Sequence, residues 1–243
     1  MKFDATSLMP ISEALNELSQ PVCDVWEGNE EPSPELVLKA LLQLFKLLEN
    51  HSVDHSVQNS DRLKPDEINE LGEYGLTLLE EMSAFADDLG LGDIANSIED
   101  LAFPFAIWLA RNEVELKNIT PVVNALSRKV NVITETHMMR QLFNYTNEII
   151  DCLNPDIPQD TEKNDPQRPW RVLVINRALL AARSHDIDLM KNAFDFLSEQ
   201  LPEEAAGFFE DSVEQMHLAR YPEPVKELIQ HYFLMHCTSH TLH

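Results

Sequence analysis

Five imidazole and thiol side chains crowd the last 13 residues of the chain: His231, His236, Cys237, His240 and His243. Neutral imidazole and thiolate are ligands that zinc, nickel and copper favour, so a metal is the first chemistry to consider. The spacing fits no structural zinc pattern, and adventitious binding accounts for the composition as well as a built site does. A di-metal centre in a helical bundle would need two Glu-x-x-His pairs and two further inward glutamates. Glu214 and His217 form one such pair, and no second one exists. No metal and no cofactor are therefore assigned.

Nucleophilic and phosphate chemistry finds less. The chain has no P-loop, no GxSxG elbow and no CxxC pair. Gly90-Leu91-Gly92 precedes a helical pattern, but Asp87, Asp88 and Asp93 beside it would repel a phosphate, so it reads as a cap and turn. Cys23, Cys152 and Cys237 are odd in number and far apart, which fits reduced thiols in a cytoplasmic protein rather than a disulfide framework. The expectation is a non-enzyme.

Charge is the most unusual bulk property. There are 42 acids against 18 bases, a net −24. Residues 1–100 hold 22 acids and 5 bases, residues 101–185 hold 9 and 10, and residues 186–243 hold 11 and 3. Such a surface repels phosphate backbones, so direct nucleic-acid binding is not expected and a basic protein partner is. The exception is a basic and aromatic cluster at Arg168, Trp170 and Arg171, continued by Arg177 and Arg183. Guanidinium and indole groups are favoured at protein interfaces, so Arg168, Trp170 and Arg171 are the candidate partner-binding residues. Neutralising the chain's own acidic flanks is the competing use for these cations.

The elements that must position these groups are helices. Fourteen prolines fall almost wholly between apolar periodic runs, with Ser33-Pro34 and Thr120-Pro121 marking helix starts. Helices are expected at about 11–19, 34–50, 65–89, 93–112, 121–133, 135–153, 169–184, 187–200, 203–219 and 223–237. The second is apolar on more than one stripe and should be enclosed on most sides. Pro104 should kink the fourth or be held by packing around Phe103, Phe105 and Trp108. Residues 171–175 are rich in β-branched side chains but run on into Ala-Leu-Leu-Ala-Ala, which argues for helix. The polar stretch 154–168, with Pro155, Pro158 and Pro166, is read as a linker between an acidic helical subdomain, 1–153, and a helical-hairpin subdomain, 169–243. The most apolar segment, 101–110, is about half the ~20 residues a membrane span needs. The amino terminus lacks the layout of a secretory signal.

The segment Ala181-Ala182-Arg183-Ser184-His185-Asp186, followed by Phe194, Leu197 and Pro202, resembles a tetratricopeptide unit, with His185 in place of the usual turn glycine and Met190 in place of a small residue. Pro169-Trp170-Arg171, Leu201-Pro202-Glu203 and the final Thr241-Leu242-His243 also resemble a group of uncharacterised bacterial proteins. The resemblance implies an all-α array of about ten helices packed as antiparallel hairpins, tetratricopeptide-like in its second half. Such arrays serve as interaction or adaptor modules. The alternatives are an acidic nucleic-acid mimic that occupies a basic protein's site, and a helical-bundle metal enzyme.

Overall fold

A computed structural model describes residues 7–28, 31–53, 63–160, 163, 165–218 and 221–237. Among them the fold is all-α, with eleven α-helices, one 3-10 turn at Ile157–Gln159 and no strand. The helices are α1 (Met9–Val25), α2 (Pro34–Val53), α3 (Pro65–Asp88), α4 (Gly92–Glu99), α5 (Ala102–Arg111), α6 (Thr120–Val132), α7 (Thr136–Ile150), α8 (Pro169–Ser184), α9 (Ile187–Gln200), α10 (Pro202–Leu218) and α11 (Glu223–Cys237). No described helix is long and apolar enough to cross a membrane.

The chain forms two compact units. The first comprises Met1–Leu126 and Glu148–Asn154, the second Ser127–Asn147 and Pro155–His243, so the chain crosses between them three times: inside α6, inside α7 and after Asn154. The polar stretch read as a linker belongs mostly to the second unit, where Arg168 fastens it.

In the first unit α1, α2, α3 and α4 pack each against the next, and α5 lies against α3. Apart from Pro104, every side chain of α5 from Ala102 to Ala110 is buried. Phe105 meets Phe45 of α2 edge to face, ring centroids 4.9 Å apart. Burial of each such side chain stabilises by about 1.5–3 kcal/mol. The approach of α3 to α5 is allowed by two glycines one turn apart. A Cβ at Gly75 would lie 2.8 Å from Phe105 Cε1, and one at Gly72 would lie 2.9 Å from Leu109 Cδ2. Glycine weakens a helix interior by about 1 kcal/mol, and here close packing explains its presence.

Several boundaries differ from the sequence reading for local reasons. The single helix expected over 93–112 is two, broken at Asp100-Leu101. In an unbroken helix Pro104 would clash with the carbonyl four residues earlier; as the third residue of α5 it occupies a position whose N–H has no intrahelical acceptor. Asp93 lies inside the first turn of α4. Thr120 is likewise the first residue of α6, and Asn118 Oδ1 accepts its N–H at 3.2 Å. The tail expected on α7 ends early, because Leu116 and Leu153 form a bridge in which Leu116 donates to the Cys152 carbonyl and Asn154 donates to that of Leu116, each at 2.8 Å. Helix α1 runs through Pro21. The proline is exposed, and the turn beyond it carries Val22, fully buried on the stripe with Ile11, Leu15 and Ser19. Gly90, φ +74°, supplies the left-handed turn into α4.

Helix α2 departs from expectation in its exposure. Val37, Leu38, Leu41, Leu44, Phe45 and Leu48 are buried, but Leu36 and Leu47 are 51% and 52% exposed. More apolar surface exists on α2 than the unit covers.

In the second unit α8 packs on α9, and α9, α10 and α11 pack on one another. Their core is aromatic: Phe194 meets Phe208, Phe209 and Tyr232 edge to face at 5.2–5.8 Å, and Phe209 stacks on Tyr232 at 5.3 Å. The α8–α9 turn places His185 in the left-handed region, φ 54°, and Asp186 Oδ1 caps α9 by accepting the Leu189 N–H at 3.4 Å.

Candidate functional site

The basic and aromatic cluster is built by the start of α8 and the segment before it, and its groups turn inward. Arg168 Nε donates to both carboxylate oxygens of Asp160, at 2.7 and 2.9 Å, and both side chains are 4% exposed. Its Nη1 donates to the carbonyls of Lys163 and Asp165, each at 3.1 Å, and its Nη2 reaches Glu203 at 3.3 Å. Arg171 grips Glu204 through two bonds of 2.6 and 2.8 Å and donates to the Pro166 carbonyl. That grip holds the Glu204 carboxyl below the usual carboxylate range and raises the Arg171 guanidinium above its own. Trp170 is buried, its ring edge-to-face with Phe196 at 6.0 Å, and its indole N–H meets no acceptor.

The later arginines follow the same pattern. Arg177 is buried between the rings of Phe143 and Phe196, 4.6 and 4.7 Å from their centroids, and donates to Asn147 and Asn192. Arg183 donates to the carbonyls of Val130 and Ile133 at the end of α6, where a cation complements the helix dipole. These groups organise the second unit from within. Arg168 and Trp170 have almost no surface to offer a partner.

At the carboxyl end, His236 stacks on Phe209 at 5.3 Å and lies 3.0 Å from Ser198 Oγ. The Ser198 hydroxyl donates its hydrogen bond to the Phe194 carbonyl at 2.8 Å, which leaves its oxygen the acceptor toward His236 Nε2. That is a structural bond, not an activated nucleophile. Burial raises the thiols of Cys23, Cys152 and Cys237, each with neighbouring acids adding to it, which keeps them protonated at neutral pH. Tyr232 is raised by burial and by its 2.6 Å bond to Asp195. No group of three or more metal-ligating side chains occurs among the described residues. The side chain of His217, and His240 and His243 altogether, lie outside them.

Sequence reasoning named Cys23 of the seam between α1 and α2 only as a reduced thiol and assigned the seam no role. It forms an open groove of about 570 Å³, lined by Cys23 and Asp24 from α1 and by Leu38, Lys39, Leu42 and Lys46 from α2 among others. A second groove of about 330 Å³ shares Leu42 and Lys46 and carries the seam on to Met9, Ser12 and Glu49. Eight large apolar side chains are half or more exposed among the described residues, and Met9, Val25, Leu36 and Leu47 of this helix pair are four of them. Of these four, Met9 lines the second groove, while Val25, Leu36 and Leu47 line neither; scattered exposed apolar residues are ordinary on a protein surface. No family model, no curated protein and no solved structure matches the chain.

Proposed function

We propose that the chain is a protein interaction module of helical hairpins whose partner segment lies along the α1–α2 seam. The observation that carries this reading is the seam itself: apolar walls from Leu38 and Leu42, charged rims from Asp24, Lys39 and Lys46, and exposed Met9 in its continuation. A groove of this kind suits an amphipathic helix that buries apolar anchors and sets its polar face to water. The tetratricopeptide-like reading of the second unit draws support from the α8–α9 hairpin, with His185 left-handed, Asp186 capping, Phe194 buried and Pro202 opening α10. The partner is basic. Arg111, Arg168, Arg171 and Arg183 are engaged within the chain, and the acids outnumber all cations, so the outward field is negative.

Selection of a phage-displayed library of helix-forming peptides on the purified chain tests this. Enriched peptides should combine apolar anchors with lysine or arginine, lose at least tenfold in affinity on Leu42→Asp, and keep most of it at 0.5 M salt. Peptides indifferent to Leu42→Asp would refute the seam. The same outward field favours a second reading, a nucleic-acid mimic. Its mark would be binding that collapses with salt and is competed by DNA.

A further inference from the structure

Helix α2 turns a face to solvent that is complementary to itself when reversed. The exposed positions are Glu35, Leu36, Lys39, Gln43, Lys46, Leu47 and Asn50. At about 100° and 1.5 Å per residue, Leu36 and Leu47 fall within about 20° of one another and about 16 Å apart along the axis. Glu35 and Lys46 share that eleven-residue spacing on the opposite edge of the same face, about 100° round. A two-fold axis perpendicular to the helix keeps each edge on its own side and reverses its order. It would set Leu36 opposite Leu47 of a second copy, Glu35 opposite Lys46 of the second copy, and Lys39 opposite its uncharged Gln43, each twice. The midpoints of the apolar and charged pairs differ by one residue, so with the leucines opposed Glu35 and Lys46 are offset by about 3 Å along the axis, which a lysine side chain absorbs.

We infer that α2 is a self-association surface, on which two copies of the chain pack antiparallel through Leu36 and Leu47 and are registered by Glu35 and Lys46. Two observations favour a second copy over another occupant. Leu36 and Leu47 are each about half exposed, whereas Val37, Leu38, Leu41, Leu44, Phe45 and Leu48 of the same helix are buried. Neither Glu35 nor Lys46 has an ion-pair partner among the described residues, while Arg111, Arg168 and Arg171 all do. Opposed charges at one spacing and leucines at the same spacing let one surface complete itself. A single helix face covers less than the roughly 800 Å² per partner of a standard stable interface, and two chains of −24 repel, so association is weak. The inference goes beyond the proposed function: Glu35, Lys39, Gln43 and Lys46 also line the α1–α2 groove, so a second copy and the helical partner proposed above compete for this face.

Sedimentation equilibrium of the full chain between about 5 and 500 μM at 150 mM salt tests it. The expected result is a monomer passing to a dimer across that range. Glu35→Lys alone and Lys46→Glu alone should each weaken the dimer tenfold or more, because like charges then meet twice. The double variant, and an equimolar mixture of the two single variants, should each restore association to within about threefold of the parent. All of these positions are exposed, and circular dichroism of each variant verifies that it folds. A monomer at every concentration overturns the inference. So does a dimer indifferent to both single changes, or a double variant and mixture as weak as the single variants.

Discussion

Replacing Arg168 by methionine keeps most of the side chain's volume and deletes its guanidinium. Arg168 and Asp160 are each only 4% exposed, so the substitution leaves Asp160 as a buried carboxylate without its cation. It also strips the Lys163 and Asp165 carbonyls of the donor 3.1 Å away. Removing one partner of a buried pair costs about 3–5 kcal/mol, most of it the penalty on the orphaned charge. At about 3–4 °C per kcal/mol, the second unit should melt about 10–20 °C lower. Adding Asp160→Asn discharges the orphan, and asparagine accepts the left-handed backbone there, φ 47°, so the double variant should recover about 1–3 kcal/mol of the loss. Arg171→Met provides the scale. Arg171 and Glu204 are about a quarter exposed, and the loss should be about 1 kcal/mol. Thermal unfolding at pH 7, followed by circular dichroism and calorimetry, measures all four proteins. A loss below about 1 kcal/mol for Arg168→Met, or a double variant no more stable than the single, would refute the view that this pair fastens the 154–168 segment.

Two further outcomes test the packing and the electrostatics. Gly75→Ala should destabilise by about 1–2 kcal/mol, because overpacking against Phe105 outweighs the gain of up to about 1 kcal/mol in helix propensity; a stabilised variant would mean that α3 and α5 do not approach so closely. The bond from Arg171 lowers the Glu204 carboxyl, so its contribution is fully present above the unfolded pKa of about 4.3 and fades as pH falls through the lower folded value. Urea unfolding between pH 6 and 3 should therefore show Glu204→Gln losing less stability on acidification than the parent, and identical slopes would refute the coupling.

What was legible in the sequence is what short-range physics controls. Ser33-Pro34 placed the start of α2 and Thr120-Pro121 that of α6, and the run from Arg171 into Ala182 is helical despite its β-branched opening. Gly90 takes the left-handed turn that only a residue free of Cβ adopts at no cost. Phe103, Phe105 and Trp108 are buried as their density implied. Where burial competes with local preference, the sequence misleads: Val22 draws α1 past Pro21, and Pro104 opens a helix where periodicity ran on.

The surfaces were decided only by tertiary structure. Residue type made Arg168, Trp170 and Arg171 interface groups, but the fold brings Asp160, Glu203, Glu204 and Phe196 to them from elsewhere in the chain, and none of those partners can be inferred from spacing. The apolar positions all round α2 implied enclosure, yet which of them remain exposed depends on the helices laid against it. Leu36 and Leu47 stayed outside because α1 and α3 cover the other faces. Sequence sets how much apolar surface a helix carries; only packing sets how much of it is left for a partner.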